Sequence, residues 1–178
     1  YDGLVFQTLQ KKDGLVNNAI QKILQDRNGD IWIATEGGIT RYRPRHTRPA
    51  IRLKDVVTDL HHGSVAEVHL PVSQRLLLFE FQGRSFTTRP DSMAYVYRLE
   101  GYDLGWKPNY TGSVEYHDLP LGEYTFQVKA VDRDLNYSEP VSVRVTVEPD
   151  PRLEAFAEAL RGTSEEFVGE SSALRRVE

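Results

Sequence analysis

Residues able to do chemistry in this chain fall into a few small groups. Asp26, Asn28 and Asp30 have the D-x-N-x-D spacing that opens a calcium loop. Such a loop needs glycine at its sixth place and a bidentate acid at its twelfth, and Ile31 and Gly37 stand there instead. A hairpin turn at Asn28-Gly29 is the expected role of this stretch. Asp132, Asp134 and Asn136 have similar spacing in an expected loop, and a turn is again preferred to a metal site. His61, His62 and His69 suggest zinc, but adjacent histidines on a strand face opposite ways, so only one could join His69. Exposed loop positions are expected for them. The run VGES, residues 168–171, lacks the second glycine of a nucleophile elbow, and no Ser/His/Asp set has local support. Cysteine is absent, which removes disulfides, thiolate nucleophiles and cysteine zinc sites together. No catalytic residue, metal or cofactor is expected.

Two tryptophans could stack on a sugar. Trp32 lies between Ile31 and Ile33, where packing inside a sheet is preferred. Trp106 follows Gly105 on an expected loop and is kept as a candidate ligand contact beside its packing role. Tyr95, Tyr97, Tyr116 and Tyr124 are expected to line a core, each phenol seeking a hydrogen-bond partner.

The elements that carry these residues are mostly strands. Ala19–Leu24 is a short alternating run, and Ile31–Thr35 and Gly38–Tyr42 are rich in β-branched and aromatic residues; tight turns between them predict a β-meander. Val5–Leu9 predicts a strand before it. Tyr124–Ala130 and Val141–Val147 alternate apolar and polar residues without a break, so each has one dry and one wet face. Further strands are predicted at Ile51–Thr58, Ala66–Leu70, Arg75–Gln82, Ala94–Glu100 and Ser113–His117. About seven short strands in ~100 residues, with Gly, Pro, Asn and Asp between them, predict a two-layered sandwich. After Pro151 the period changes. Leu153, Phe156, Ala157 and Leu160 form the stripe of an amphipathic helix over Arg152–Arg161, with Gly162 as its cap and Ser171 or Ser172 opening a second helix.

Charge marks the boundaries. Residues 1–54 carry ten Lys/Arg against five Asp/Glu, whereas 55–148 carry eight against fourteen and 149–178 four against seven. Arg41–Lys54 holds six basic residues, two prolines and no acid, and is expected to be a solvated linker rather than a nucleic-acid contact. The longest apolar runs are only four or five residues, far short of the ~20 that span a bilayer. The start at Tyr1, without Met or an apolar leader, is expected to lie within a longer protein. Three parts are therefore expected: 1–49, 50–149 and 150–178.

Each part resembles a known family. Gly14 to Tyr42, GLVNNAIQKILQDRNGDIWIATEGGITRY, resembles the two-component regulator propeller repeat, one blade of a β-propeller. The resemblance implies neighbouring blades and makes residues 1–9 the closing strand of a preceding one. Tyr95–Trp106, YVYRLEGYDLGW, and Val114–Asp134, VEYHDLPLGEYTFQVKAVDRD, resemble the three-tyrosine (Y_Y_Y) domain. Its naming tyrosines then fall on Tyr97, Tyr116 and Tyr124, with Tyr95 the rival of Tyr97. Glu165–Glu178, EEFVGESSALRRVE, is similar to the start of a sigma-54 interaction AAA+ domain. The expected fold class is all-β. A partial propeller blade leads to an Ig-like, fibronectin-III-like antiparallel β-sandwich and a short C-terminal helix.

The resemblances imply a non-catalytic sensory segment that couples a ligand-sensing propeller to a sigma-54-type ATPase in the cytoplasm. They imply a small-molecule or glycan ligand at the propeller and sigma-54 RNA polymerase downstream. The open sandwich edges and the C-terminal helix are expected to pair two copies into a homodimer. Leu153, Phe156 and Leu160 would form the relay helix. The alternatives are the periplasmic sensor region of a hybrid histidine kinase and a carbohydrate-binding module.

Overall fold

The computed structural model describes residues 1–161. A first sheet holds β1 (Ile20–Gln25), β2 (Ile31–Thr35) and β3 (Gly38–Tyr42), in that order and antiparallel. Its first corner closes where the Gly29 amide donates to the Asp26 carbonyl at 3.1 Å and the Asp26 amide donates to Asp30 at 2.9 Å. Gly29 takes the left-handed φ of +83° that the loop Arg27–Asn28–Gly29 needs. The Asp26 carboxylate accepts the amides of Asn28 and Asp30, at 2.8 and 3.0 Å, and the Trp32 indole N–H at 2.9 Å. Backbone and indole donors thus satisfy the acid that the sequence places at a calcium-like spacing.

Val5–Leu9 forms no strand, contrary to expectation. Asp2 ties up this segment by accepting the Leu4 and Val5 amides at 3.0 and 2.9 Å. Val5 is then buried against the sandwich rather than against a blade.

The sandwich has eight strands: β4 (Ala50–Val57), β5 (Glu67–Pro71), β6 (Leu76–Arg84), β7 (Ala94–Glu100), β8 (Lys107–Asn109), β9 (Ser113–His117), β10 (Gly122–Val131) and β11 (Val141–Glu148). One sheet runs β5-β11-β10-β7-β8 and the other β4-β6-β9. β10 and β11 pair antiparallel from Gly122↔Val147 to Val128↔Val141. Phe126, Val128, Ala130, Val143 and Val145 are wholly buried, as the period of two requires. β5 departs from the antiparallel expectation by running parallel to β11. β8 escapes the sequence pattern because it is a three-residue edge strand centred on proline, where no ladder donor is needed.

The two layers meet at Phe79 of β6 and Phe126 of β10, whose rings stack 3.8 Å apart. Tyr95 and Phe81 pack edge to face beside them. Gly83 leaves no room for a side chain. A Cβ would lie 2.8 Å from Met93 Cε and 2.9 Å from Ala130 Cβ, and its amide donates to the buried Tyr95 hydroxyl at 3.0 Å.

A helix over 151–161 follows the sandwich. Asp150 caps it by accepting the Arg152 amide at 2.9 Å, and Pro151 stands in the first turn, where its missing N–H costs nothing. Leu153, Phe156 and Leu160 are exposed, by 56%, 64% and 56%. Gly162, the second predicted helix and the ATPase-like run 165–178 lie outside the described residues.

Candidate relay junction between blade and sandwich

The basic stretch after β3 is not a free linker. Asp30, 1% exposed just before β2, accepts Arg41 Nε at 2.7 Å and Arg43 Nε and Nη2 at 2.7 and 3.0 Å. The Arg43 and Arg41 guanidinium groups hold its carboxyl far below the usual range. Arg41 also lies over the Trp32 ring, 5.5 Å from its centroid. Two of the six positive charges are therefore spent inside the blade.

The next contacts cross to the sandwich. The Tyr42 hydroxyl donates to the Asp134 carboxylate, and the Arg45 amide donates to Asp134 Oδ2 at 3.2 Å. Asn136 Nδ2 donates to the Arg45 carbonyl at 2.6 Å. Arg48 pairs with Glu139. Asp134 and Asn136 belong to the loop between β10 and β11, and buried Asp132 shapes that loop. Its Oδ1 accepts the amides of Asp134 and Asn136, both at 2.9 Å, which is an Asx-type turn. Leu135, at φ +61°, completes the reversal. The D-x-D-x-N spacing thus builds a turn that receives the linker. Burial at the junction pushes the Asp134 carboxyl up.

A second tie lies on the outer face of the five-stranded sheet. Val5, wholly buried, packs with Ala94, Val96 and Val131. Leu4, Trp106, Leu135 and Tyr137 close around them. The Phe6 amide donates to the Tyr110 hydroxyl at 3.1 Å, and the Tyr137 hydroxyl donates to Asp2. Arg133 Nη1 reaches the Asp13 carbonyl at 3.4 Å. Residues before and after the blade therefore both grip the end of the sandwich that carries the β10–β11 loop.

Sequence reasoning did not find this surface, although a signal for it exists. Ala94-Tyr95-Val96-Tyr97 is apolar on both faces of one strand, so something must cover its outer side. Trp106 takes part in that cover. Arg98 and Lys129 lie over its ring at 4.9 and 4.8 Å from the centroid.

Tyr116 and Tyr124 are buried and Tyr97 half-buried; Tyr97 and Tyr116 pack on each other and on Phe126, and Tyr102 lies edge-on between Tyr116 and Tyr124. The Tyr124 hydroxyl donates to the Pro120 carbonyl at 2.9 Å. The Tyr116 hydroxyl donates to Asp103 Oδ2 at 2.6 Å. Asp103, its side chain 1% exposed, also accepts Lys107 Nζ at 2.6 Å and the Leu99 amide at 2.7 Å. Burial would raise its carboxyl, but these donors outweigh it and the net shift is downward. The histidines do not converge. His61 pairs with Asp55 at 2.7 Å, His62 contacts Thr58 at 2.9 Å, and His69 lies between Glu148 and Glu67 at 3.0 and 3.3 Å. Among the described residues no helix is long and apolar enough to cross a membrane.

Residues 14–37 match the family model "two component regulator propeller", and residues 87–148 match "Y_Y_Y domain". The two matches fall in the order propeller repeat, then Y_Y_Y domain. Neither match reaches the ATPase-like run at the C-terminus. No curated protein matches the chain. Among solved structures, the chain is similar to one described as the extracellular domain of the hybrid two component system BT3049 from B. thetaiotaomicron. The TM-score is 0.59 at 20% identity, over 80% of this chain and 22% of that one. A second, described as the extracellular domain of BT4673 from the same organism, gives 0.49 at 19% identity over 76% and 21%. A fibronectin(III)-like module of Clostridium thermocellum CbhA gives 0.40 at 16% identity over 56% and 98%. The chain spans about a fifth of the length of the first two. The fold class is all-β: a two-sheet sandwich, antiparallel except where β5 joins β11, with one short helix after it.

Proposed function

We propose that this chain is a non-catalytic relay segment within the extracellular sensor part of a two-component regulator. The observation that carries the reading is the junction. The linker leaving the blade is hydrogen-bonded to Asp134 and Asn136, on the loop that leads into β11. β11 crosses the five-stranded sheet and ends at Glu148, three residues before the helix over 151–161. A change in how the last blade sits would reach the exit helix through one loop and one strand. Such a relay works only if the segment has two arrangements whose populations differ when ligand binds.

The order of propeller repeat and Y_Y_Y domain supports a sensory role, and the BT3049 description supports an extracellular or periplasmic place over a cytoplasmic one. A histidine kinase output is accordingly favoured over the sigma-54 ATPase, which has only the resemblance of residues 165–178 behind it. The signal would be a small molecule or glycan bound at the propeller, and two copies would pair through the sandwich or the exit helix. The carbohydrate-module alternative is weakened at Trp106, because Arg98 and Lys129 already lie over its ring.

The test is a D134A/N136A double substitution in a regulator that carries this segment. Ligand affinity at the propeller should stay unchanged while ligand-dependent output falls at least about tenfold, a coupling loss of ordinary allosteric size. Unchanged output would refute the relay.

A further inference from the structure

A groove of about 600 Å³ runs between the linker and the loop leaving β6, walled by Arg45, Thr47, Arg48, Arg84, Phe86 and Thr88. Strand register explains why it forms. Arg84, the last residue of β6, lies opposite Ala50, where the linker becomes β4, so the two chains diverge from that point. The size is that of an ordinary small-molecule site, and such sites favour the seams between packed units.

Its charge is what distinguishes the groove. Arg41 and Arg43 are spent on Asp30, Arg48 on Glu139, and Arg52 on Gln82. The guanidinium groups of Arg45 and Arg84 pair with no carboxylate among the described residues. Phe86 stands beside them, fully exposed. A guanidinium forks onto a carboxylate through two parallel N–H donors, and a phenyl ring offers a face for stacking. We propose that the groove is a binding site for a small organic carboxylate with a flat, apolar body. The linker supplies one wall and the sandwich the other, so an occupant would clamp residues 45–48 to the β6–β7 loop. The site stands apart from the relay reading, since binding can be measured on this chain without any output domain.

The probe is benzoate, with benzamide as its uncharged counterpart, titrated into the whole chain and followed by backbone amide NMR. Shifts should be confined to residues 45–48 and 84–88, with benzoate bound at least about tenfold more tightly than benzamide, as expected of a charge-assisted pair. An R45Q/R84Q double substitution should weaken benzoate at least about tenfold and leave benzamide unchanged. F86A should weaken both alike, and R98Q, at Trp106, should weaken neither. Equal affinity for the two probes, shifts elsewhere on the surface, no shift at roughly 20 mM benzoate, or an indifferent R45Q/R84Q chain would each overturn the assignment.

Discussion

Asn136 Nδ2 donates to the Arg45 carbonyl across 2.6 Å, joining a side chain of the β10–β11 loop to the backbone of the linker. Beside it, Asp134 accepts both the Tyr42 hydroxyl and the Arg45 amide. A single loop thus holds the end of the last blade strand and the chain that follows it. A blade by itself cannot bury its faces, so the sandwich is a natural anchor for it in this chain.

Acid should loosen the blade before the sandwich. The folded carboxyl of Asp30 lies below its ordinary value because of Arg43 and Arg41. A depressed folded value means that the stabilisation is complete above the unfolded value, about 3.9, and is lost as pH falls below it. Hydrogen-exchange protection of the β2 and β3 amides should therefore fall as pH drops below about 4, before that of β10 and β11 does. In D30N the blade amides should already be less protected at neutral pH, and the further loss in acid should be smaller. Wild-type blade amides that keep full protection in acid down to the point of global unfolding would disprove the assignment.

The Tyr116–Asp103 bond should be worth a measurable part of the sandwich's stability. Y116F removes one of the donors that satisfy a buried carboxylate, which costs about 1–3 kcal/mol when a buried group is left short. Urea unfolding should show a lower midpoint with an unchanged slope. An unaltered midpoint would mean that the bond is dispensable.

Gly83 should tolerate no side chain. G83A places a methyl within 3 Å of both Met93 Cε and Ala130 Cβ, and overpacking of this kind costs roughly 1–3 kcal/mol. A lower Tm by calorimetry is expected. A wild-type Tm would show that the sheets can part there at no cost.

Val5 should hold the N-terminal segment to the sheet. V5D buries a carboxylate among Ala94, Val96 and Val131 with no donor to meet it. The amides of residues 4–7 should then exchange freely and the Trp106 indole should shift, while the Phe79–Phe126 stack keeps its signals. Retained protection at Leu4 and Val5 would show that the segment is held by other contacts.

The strands were largely legible because their alternation is local. Ile31–Thr35, Gly38–Tyr42 and Ala94–Glu100 end where the pattern ends, and Val141–Val147 is extended only by Glu148. What was not legible is pairing between distant residues. Nothing adjacent to Asp103 announces Tyr116, and nothing near Arg45 announces Asn136, 91 residues away. Val5–Leu9 misleads because a short alternating run serves equally well as a strand or as a strap with one buried residue. The double-sided apolar run Ala94–Tyr97 was the one local clue to the covered outer face.

Hydrogen exchange of the blade amides in a D134A/N136A chain tests the junction most directly. If the sandwich anchors the blade through these two side chains, protection in β2 and β3 should fall at least about tenfold, with β10 and β11 still protected as in the wild type. Blade amides exchanging at wild-type rates in that chain would contradict the account.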